Sequence, residues 1–385
     1  MIYLDHAATT PLRDEARDAW LEAQRTIGNA SSVHGAGQNA RRVLEEARER
    51  FAKTLGAEPI EVVFTSGGTE SVGLALQGMW RRRQPAQTRI VLPDGEHHAT
   101  LDTVAWLASR EGAEVSRVGL DDAGRIPIDA FGAALDDAAM ATALVAGNET
   151  GTVNDAAGLA NAAARVGVPL HLDAVAALGH MRVDFGAWRG DAPAGLGLVG
   201  MSVSGHKIGA PVGTGALVVS RTASIEPVLH GGGQQRGIRA GTQDIAGAVA
   251  LATAAEIAEA ERLSESARLE ALRERLVADV GQRIPAAIVL GDRDRHLPGT
   301  VHVMLPGAAG ESVLFLLDQR GISVSTGSAC QAGVAEPSHV VMALGYTAHQ
   351  AREVVRISMG RGTTAPDIDA LADGLVDAYE RIAGG

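Results

Sequence analysis

The sequence predicts an α/β protein with a mainly parallel sheet and a smaller α/β unit towards its end. The first observation is that apolar runs of strand length alternate with segments of helix length between about residues 61 and 220. The second is that polar or glycine-rich turns follow several of these strands. The third is a pair of predicted helices, at about 244–260 and 264–280, beyond which the elements are shorter. Together these observations favour a buried sheet with helices on both faces.

Two helices precede the sheet. Apolar residues recur at helical spacing in both: Leu12, Ala16, Ala19 and Ala23 in the first, and Leu44, Ala47, Phe51 and Leu55 in the second. Turn residues 27–32 separate them, and Gly56 ends the second. We expect the second helix to pack against the sheet.

The remaining elements divide into two groups. The larger group has strands at 61–65, 89–92, 113–118, 141–146, 168–172, 198–203 and 215–220, with helices after Thr69, at 99–110 and at 156–166. The smaller group has strands at 287–290, 301–305, 322–325 and 354–359, with helices at 311–320, 338–344 and 367–382. We therefore predict a large domain of residues 12–260 and a small domain of residues 1–11 and 261–385.

Composition and charge limit the class of protein. With 385 residues and 46% hydrophobic content, the chain can bury a substantial core. Its formal charge of −12 repels nucleic acid, so we expect no direct nucleic-acid partner. The start lacks a signal-peptide pattern, and no apolar run approaches the ~18 residues of a membrane span. These features predict a cytoplasmic enzyme without a membrane partner.

Ser204, His206 and Lys207 follow the apolar run 198–203, so they would stand at the end of a strand, where enzyme sites collect. A lysine at the edge of an apolar core is desolvated, so its amine is more easily uncharged and can form a Schiff base with an aldehyde cofactor. A surface lysine after a strand is the alternative that these residues alone leave open.

Residues 66–69, Ser-Gly-Gly-Thr, join a predicted strand to a helix. Gly68 allows close backbone approach, Thr69 offers a hydroxyl, and the helix start presents free N–H groups to an anion. The turn is not a nucleotide P-loop, because no Gly-Lys-Ser/Thr closes it. It is either a phosphate site or only a helix cap.

Polar residues follow other predicted strands as well. His97 and His98, Asn148, and Asp173 stand at such strand ends. A buried Asp173 would need a cationic or N–H partner. The adjacent histidines lack the spacing of a helical metal pair, so we predict no metal site and favour a ring that stacks.

The single cysteine, Cys330, excludes an intramolecular disulfide and a multi-cysteine metal site. Its neighbours in residues 325–333 are small and polar, which favours a reactive thiol over a buried small hydrophobe. Residues 230–236 are rich in glycine and predict a loop with unusual backbone angles.

Nine segments together resemble the cysteine desulfurases, pyridoxal-phosphate enzymes of the class-V aminotransferase-like fold type I. They are residues 3–10, 28–34, 65–71, 96–98, 148–151, 171–174, 204–207, 231–242 and 328–330. The resemblance covers nearly the whole chain. It implies a large domain around a mainly parallel seven-stranded sheet flanked by helices, and a smaller C-terminal α/β domain.

The resemblance also implies roles around pyridoxal 5'-phosphate. Lys207 would bind this cofactor covalently, Asp173 would face its pyridine nitrogen, and the catalytic His97 would stack on its ring. The remaining residues of the cofactor site hold or approach the phosphate: Gly68, Thr69, Ser204, His206 and, from the other subunit of a homodimer, Thr242.

The implied reaction removes sulfur from L-cysteine, releases L-alanine and leaves a persulfide on the catalytic Cys330. Arg356, aided by Asn148, would bind the substrate carboxylate. A sulfur-acceptor protein would then receive the sulfur, with iron–sulfur cluster assembly and tRNA thiolation among the open destinations. A selenocysteine lyase, another pyridoxal-phosphate lyase and a non-catalytic scaffold are the alternatives.

Ala176 departs from the family pattern, in which a glutamine hydrogen-bonds to the cofactor's phenolic oxygen. A methyl group cannot donate this bond. We therefore predict that the pH midpoint of the cofactor's absorption lies higher in this protein than in its Ala176→Gln variant.

Overall fold

The structure, a computed structural model, describes residues 1–327 and 336–383. Its elements up to the long helix are β1 (Ile2–Tyr3), α1 (Asp14–Ala23), α2 (Gly35–Thr54), β2 (Val62–Thr65), α3 (Gly68–Arg82), β3 (Arg89–Pro93), α4 (His98–Glu111), β4 (Glu114–Val118), α5 (Ile128–Ala134), β5 (Met140–Leu144), α6 (Ala156–Val166), β6 (Pro169–Asp173), α7 (Phe185–Arg189), β7 (Gly197–Ser204), β8 (Gly215–Val219) and α8 (Ile245–Arg283). The elements after it are β9 (Ile288–Leu290), β10 (Thr300–Met304), α9 (Gly310–Asp318), β11 (Ile322–Ser323), α10 (His339–Ala343), β12 (Val354–Ser358) and α11 (Ala365–Ala383).

The main sheet has seven strands within the described ranges, in the order β2-β8-β7-β6-β5-β3-β4. Only β8 runs against its neighbours, and the other pairs are parallel. The predicted seven-stranded, mainly parallel sheet is therefore confirmed. Its central strands are buried along their whole length, as expected for a sheet with helices on both faces.

Two hydrophobic clusters enclose this sheet. The larger one joins α2, α6 and the first half of α8 to one face, and it includes Phe51, Phe131 and Phe185. The other joins α3 and α4 to the opposite face around Trp80. Because the parallel strands are anchored on both sides, their carboxyl ends are held at one common edge.

The prediction of separate helices at 244–260 and 264–280 is wrong, because α8 continues for 39 residues. Glu261 to Ser264 include no glycine or proline, and the Ser264 hydroxyl donates to the Glu261 carbonyl within the helix at 2.8 Å. The apolar pattern changes along α8 because its first half packs against the main sheet and its second half against the smaller unit. The sequence pattern therefore changes near residues 260–264 because the helix changes its packing partner there, and the helix itself is unbroken.

The smaller unit is built on the antiparallel sheet β12-β10-β9, covered by α8, α9 and α11. A two-stranded parallel sheet pairs β1 with β11, so the N-terminal segment lies beside this unit. The predicted domain boundaries after residues 11 and 260 stay predictions. None of the helices in the described ranges has the length and apolar character needed to cross a membrane.

Candidate active site

A cavity of about 450 Å³ lies at the carboxyl ends of β6 and β7, between the main sheet, the N-terminal segment and the smaller unit. It brings together most of the residues that the sequence singles out: Gly68, Thr69, His97, Asn148, Asp173, Ser204, His206, Lys207 and Arg356. Two candidates are not among them. Thr242 is exposed and does not line the cavity of its own chain, and Cys330 lies outside the described residues.

One end of the cavity is suited to an anion. The helix α3 begins here after Gly67, which has φ +153° and no capping side chain, so the first N–H groups of α3 are free for a ligand. A β-carbon on Gly68 would lie 2.7 Å from the Val175 side chain, so only glycine fits this close approach. The Ser204 hydroxyl is buried nearby and has no hydrogen-bond partner among the described residues. An unpaired buried hydroxyl beside free N–H groups fits a phosphate.

Asp173 ends β6 at the floor of the cavity and is almost fully buried. Its carboxylate accepts a hydrogen bond from the Val175 N–H at 2.9 Å. Burial raises the pKa of Asp173 to about 6, although the Val175 N–H and the charge of Lys207 oppose this shift. The carboxylate is therefore available at neutral pH for a cationic group bound above it.

Lys207 ends the short turn that follows β7. Its ammonium donates to the carbonyls of Ala7 and, at 3.1 Å, Ala8. Burial, followed by the charge of Arg356, lowers the pKa of Lys207 to about 8, while Asp5 and Asp173 act in the opposite direction. A much larger fraction of this amine is uncharged at neutral pH than in an exposed lysine, as a nucleophilic lysine requires.

His97 caps the N-terminus of α4, where its Nδ1 accepts a hydrogen bond from the Ala99 N–H at 3.1 Å. Burial, followed by the charge of Lys207, lowers the pKa of His97 to about 4. The ring is therefore neutral near pH 7 and carries its proton on Nε2. A neutral ring held by the helix start is suited to stacking on a flat ligand.

The opposite end of the cavity holds Arg356, from β12. Its Nη2 donates to Asp5 at 2.8 Å, and its Nη1 donates to the Asn148 carbonyl at 3.1 Å. The Arg356 side chain is 6% exposed and that of Asp5 is 21% exposed. This end therefore holds a guanidinium that already has protein partners and that can also bind a carboxylate.

Two buried carboxyl groups and one ion-pair partner were not among the predicted site residues. Burial raises the pKa of Glu96 to about 8, and it also raises the pKa of Glu149, whose carboxylate accepts from the Ser338 hydroxyl at 2.5 Å. Asp5 pairs with Arg356 across 351 positions of the chain. All three stand in the segments that carry the family resemblance, but only the fold shows which of them are buried or paired.

Comparisons with known proteins agree with this geometry. Residues 2–371 match the family described as aminotransferase class-V. The chain is 47% identical to an IscS-like cysteine desulfurase of Mycobacterium tuberculosis, over 99% of this chain and 97% of the relative. It resembles the solved structure of a NifS-like protein with a TM-score of 0.89 and 29% identity, covering 99% of both chains. It also resembles SspA in complex with cysteine, with a TM-score of 0.79 and 29% identity over 93% of this chain and 99% of that one.

Proposed function

The chain belongs to the class-V aminotransferase family, and from this membership we propose that it is a cysteine desulfurase that binds pyridoxal 5'-phosphate around Lys207. The observation that carries the proposal is that one cavity holds Lys207, Asp173 and a set of groups suited to a phosphate. This set includes the Ser204 hydroxyl, which is unpaired among the described residues. The relatives' names support the reaction, and the complex of SspA with cysteine supports the substrate.

The cofactor-holding residues divide by the part of the cofactor that they meet. Gly68, Thr69, Ser204 and His206 would hold the phosphate, and the start of α3 would add its N–H groups. Asp173 would hold the protonated pyridine nitrogen, and His97 would stack on the ring. When bound, pyridoxal phosphate supplies a sink for the electrons released at the substrate's α-carbon.

Arg356 binds the substrate carboxylate and Asn148 helps to orient it. A guanidinium suits this task because its planar fork donates two parallel hydrogen bonds to a carboxylate. Lys207 binds the cofactor and afterwards carries protons to and from the substrate carbon. Its lowered pKa suits both duties near neutral pH.

Sulfur transfer is assigned to Cys330, the only thiol of the chain. The Cys330 thiolate attacks the sulfur of the bound L-cysteine, so that an S–S bond forms while the substrate's C–S bond breaks. The electron pair of that bond stays with the carbon, which takes up a proton and leaves as L-alanine. A persulfide remains on Cys330 for a sulfur-acceptor protein. The active unit is a homodimer in which Thr242 completes the phosphate site of the partner subunit.

The test is to give the cofactor-loaded protein L-cysteine and to measure L-alanine together with the mass of the Cys330 peptide. We expect alanine and a gain of one sulfur atom on that peptide. The Cys330→Ser variant should keep the cofactor's visible absorption and its response to L-cysteine but form no persulfide. The proposal fails if the native protein forms neither product, and alanine from L-selenocysteine alone would favour the selenocysteine lyase.

A further inference from the structure

His180 lines the same cavity as Lys207 and has no role in the function proposed above. It stands at the end of a helical turn that follows Asp173, in which Leu178 N–H bonds to Ala174 O and His180 N–H bonds to Ala177 O. Ala176 lines the same cavity, with a methyl group only.

The ring of His180 differs from those of the other histidines around it. His6 also lines the cavity, but its Nδ1 is bonded to the Thr10 hydroxyl at 2.9 Å and its ring packs edgewise on Tyr3. His171 lies below Asp173, and both of its ring nitrogens bond to buried hydroxyls. No hydrogen bond joins the His180 ring to any residue within 1–327 or 336–383. A half-buried imidazole without such a partner, at the wall of a ligand cavity, indicates a ligand contact.

We propose that His180 contacts the bound cofactor and donates a hydrogen bond to its phenolic oxygen. The inference rests on the proposed function, because it assumes that pyridoxal phosphate is attached at Lys207. In that molecule the phenolic oxygen is bonded to the ring carbon next to the one that carries the aldehyde group. A donor that lines the cavity with Lys207 and has no protein partner among the described residues, as His180 does, could therefore reach this oxygen.

The charge state of His180 suits a donor. Burial, followed by the charge of Lys207, lowers the pKa of His180 to about 4. The other titratable ring that faces it is His6, which is itself influenced by Asp5 and Arg361. Near pH 7 the His180 ring is neutral, so it carries one N–H to donate and adds no charge to the cavity.

The backbone holds His180 in place. Gly179 has φ +82°, and a β-carbon there would lie 2.8 Å from the Ile208 side chain. Ile208 directly follows Lys207, so the two segments are packed without free space. The Ser266 hydroxyl also donates to the His180 carbonyl at 3.3 Å. This packing fixes the turn relative to Lys207 and prevents the ring from moving away with its backbone.

A donor at His180 changes the expected effect of Ala176→Gln. The sequence alone predicts a lower midpoint for Ala176→Gln, because it shows no donor in place of the glutamine. With His180 as the donor, a glutamine at 176 should lower the pH midpoint of the cofactor's absorption only slightly. The effect should appear only after His180 is removed.

The test is a spectrophotometric pH titration of the cofactor's visible absorption in the holoenzyme. Donation stabilises the anionic oxygen and so lowers the midpoint. We expect His180→Ala to raise the midpoint by about one pH unit. Ala176→Gln should leave the midpoint nearly unchanged in the native background and lower it again in the His180→Ala background. His180→Gln, which keeps a donor, should rescue the native value.

The control is His349→Ala, since His349 is an exposed histidine away from the cavity. It should leave the midpoint unchanged. Equal midpoints in the native protein and in His180→Ala would overturn the inference. If His180→Ala does not fold, His180→Leu fills the space without a donor and must show the same rise. Absence of any cofactor absorption in the native protein would instead overturn the proposed function.

Discussion

The two ends of the cavity differ in how well their polar groups are paired within the protein. At the α3 end, within the part of the chain that the structure describes, the Ser204 hydroxyl is buried without a partner and the helix start has no side-chain cap. At the β12 end, Arg356 already donates through both Nη atoms, to Asp5 and to the Asn148 carbonyl, and its buried Nε has no partner among the described residues. Unpaired buried groups destabilise an empty site, and a ligand that pairs them recovers this cost. A guanidinium with internal partners gains less from a ligand.

This difference is what we expect if a permanently bound cofactor occupies the α3 end and an exchanging substrate occupies the β12 end. A cofactor that stays bound benefits from unsatisfied groups, because the empty protein is the less stable state. A substrate that must leave as product benefits from an end that is stable without it.

The largest effect is expected from Arg356→Lys. A lysine keeps the positive charge but loses the planar fork, so it cannot hold a carboxylate with two parallel hydrogen bonds. We expect the dissociation constant of L-alanine to rise by roughly tenfold to a hundredfold, with cofactor binding unchanged. Spectral titration of the holoenzyme measures both. Arg352→Lys, in the exposed neighbouring segment, is the control and should have no effect. An unchanged dissociation constant in Arg356→Lys would show that Arg356 does not bind the carboxylate.

The next effect is expected from Ser204→Ala. Loss of a hydrogen bond to a charged phosphate should weaken pyridoxal phosphate binding about tenfold and leave the binding of phosphate-free pyridoxal unchanged. The empty protein should not lose stability, because the hydroxyl bonds to none of residues 1–327 and 336–383.

Ser202→Ala is the matched control on the same strand. The Ser202 hydroxyl is paired with His171 at 2.7 Å, so its loss should lower the unfolding temperature of the empty protein. It should change cofactor binding little. If Ser204→Ala destabilised the empty protein as much as Ser202→Ala, the α3 end would not be the unsatisfied end.

The smallest effect is expected from Asp5→Asn. The asparagine can still accept from Arg356 Nη2, but it no longer competes with a carboxylate ligand through its charge. We expect L-alanine to bind about threefold more tightly, in line with the modest value of partly exposed charge pairs. Weaker binding would show that the charge of Asp5 assists the ligand.

The same variant should alter the pH dependence of cofactor capture. The Lys207 amine reacts when uncharged, so the capture rate should rise through the pKa of about 8 and level off above it. Asp5 acts to raise this pKa. Asp5→Asn should therefore move the midpoint of the rate profile to lower pH. A shift to higher pH would contradict the effect assigned to the Asp5 charge on the pKa of Lys207.

Much of the site could be predicted from the sequence because it stands on strand ends. His97, Asn148, Asp173 and Lys207 each follow an apolar run, and parallel strands bring their carboxyl ends to one edge. Pattern alone therefore predicts that these side chains meet. The family resemblance adds the roles, which no spacing reveals.

The residues that were missed depend on contacts that pattern does not encode. Asp5 meets Arg356 because the N-terminal segment pairs with β11 and bridges from Asp5 to Ser358 at the end of β12. His180 faces the cavity because of a tight turn at Gly179. The continuous α8 was divided because its buried face changes partner, although the local sequence supports an unbroken helix. Short elements such as α7, with five residues, are too brief to show a period.

The central claim is that Lys207 binds the resident cofactor, and the chain allows a direct test because it has only two lysines, Lys207 and the exposed Lys53. Borohydride reduction of the cofactor-loaded protein, followed by peptide mass spectrometry, locates the attachment. We expect the reduced pyridoxyl-phosphate group on the Lys207 peptide in the native protein and in Lys53→Ala, and no visible covalent band in Lys207→Ala. A modified Lys53 peptide with an unmodified Lys207 peptide, or an equal band in Lys207→Ala, would contradict the claim.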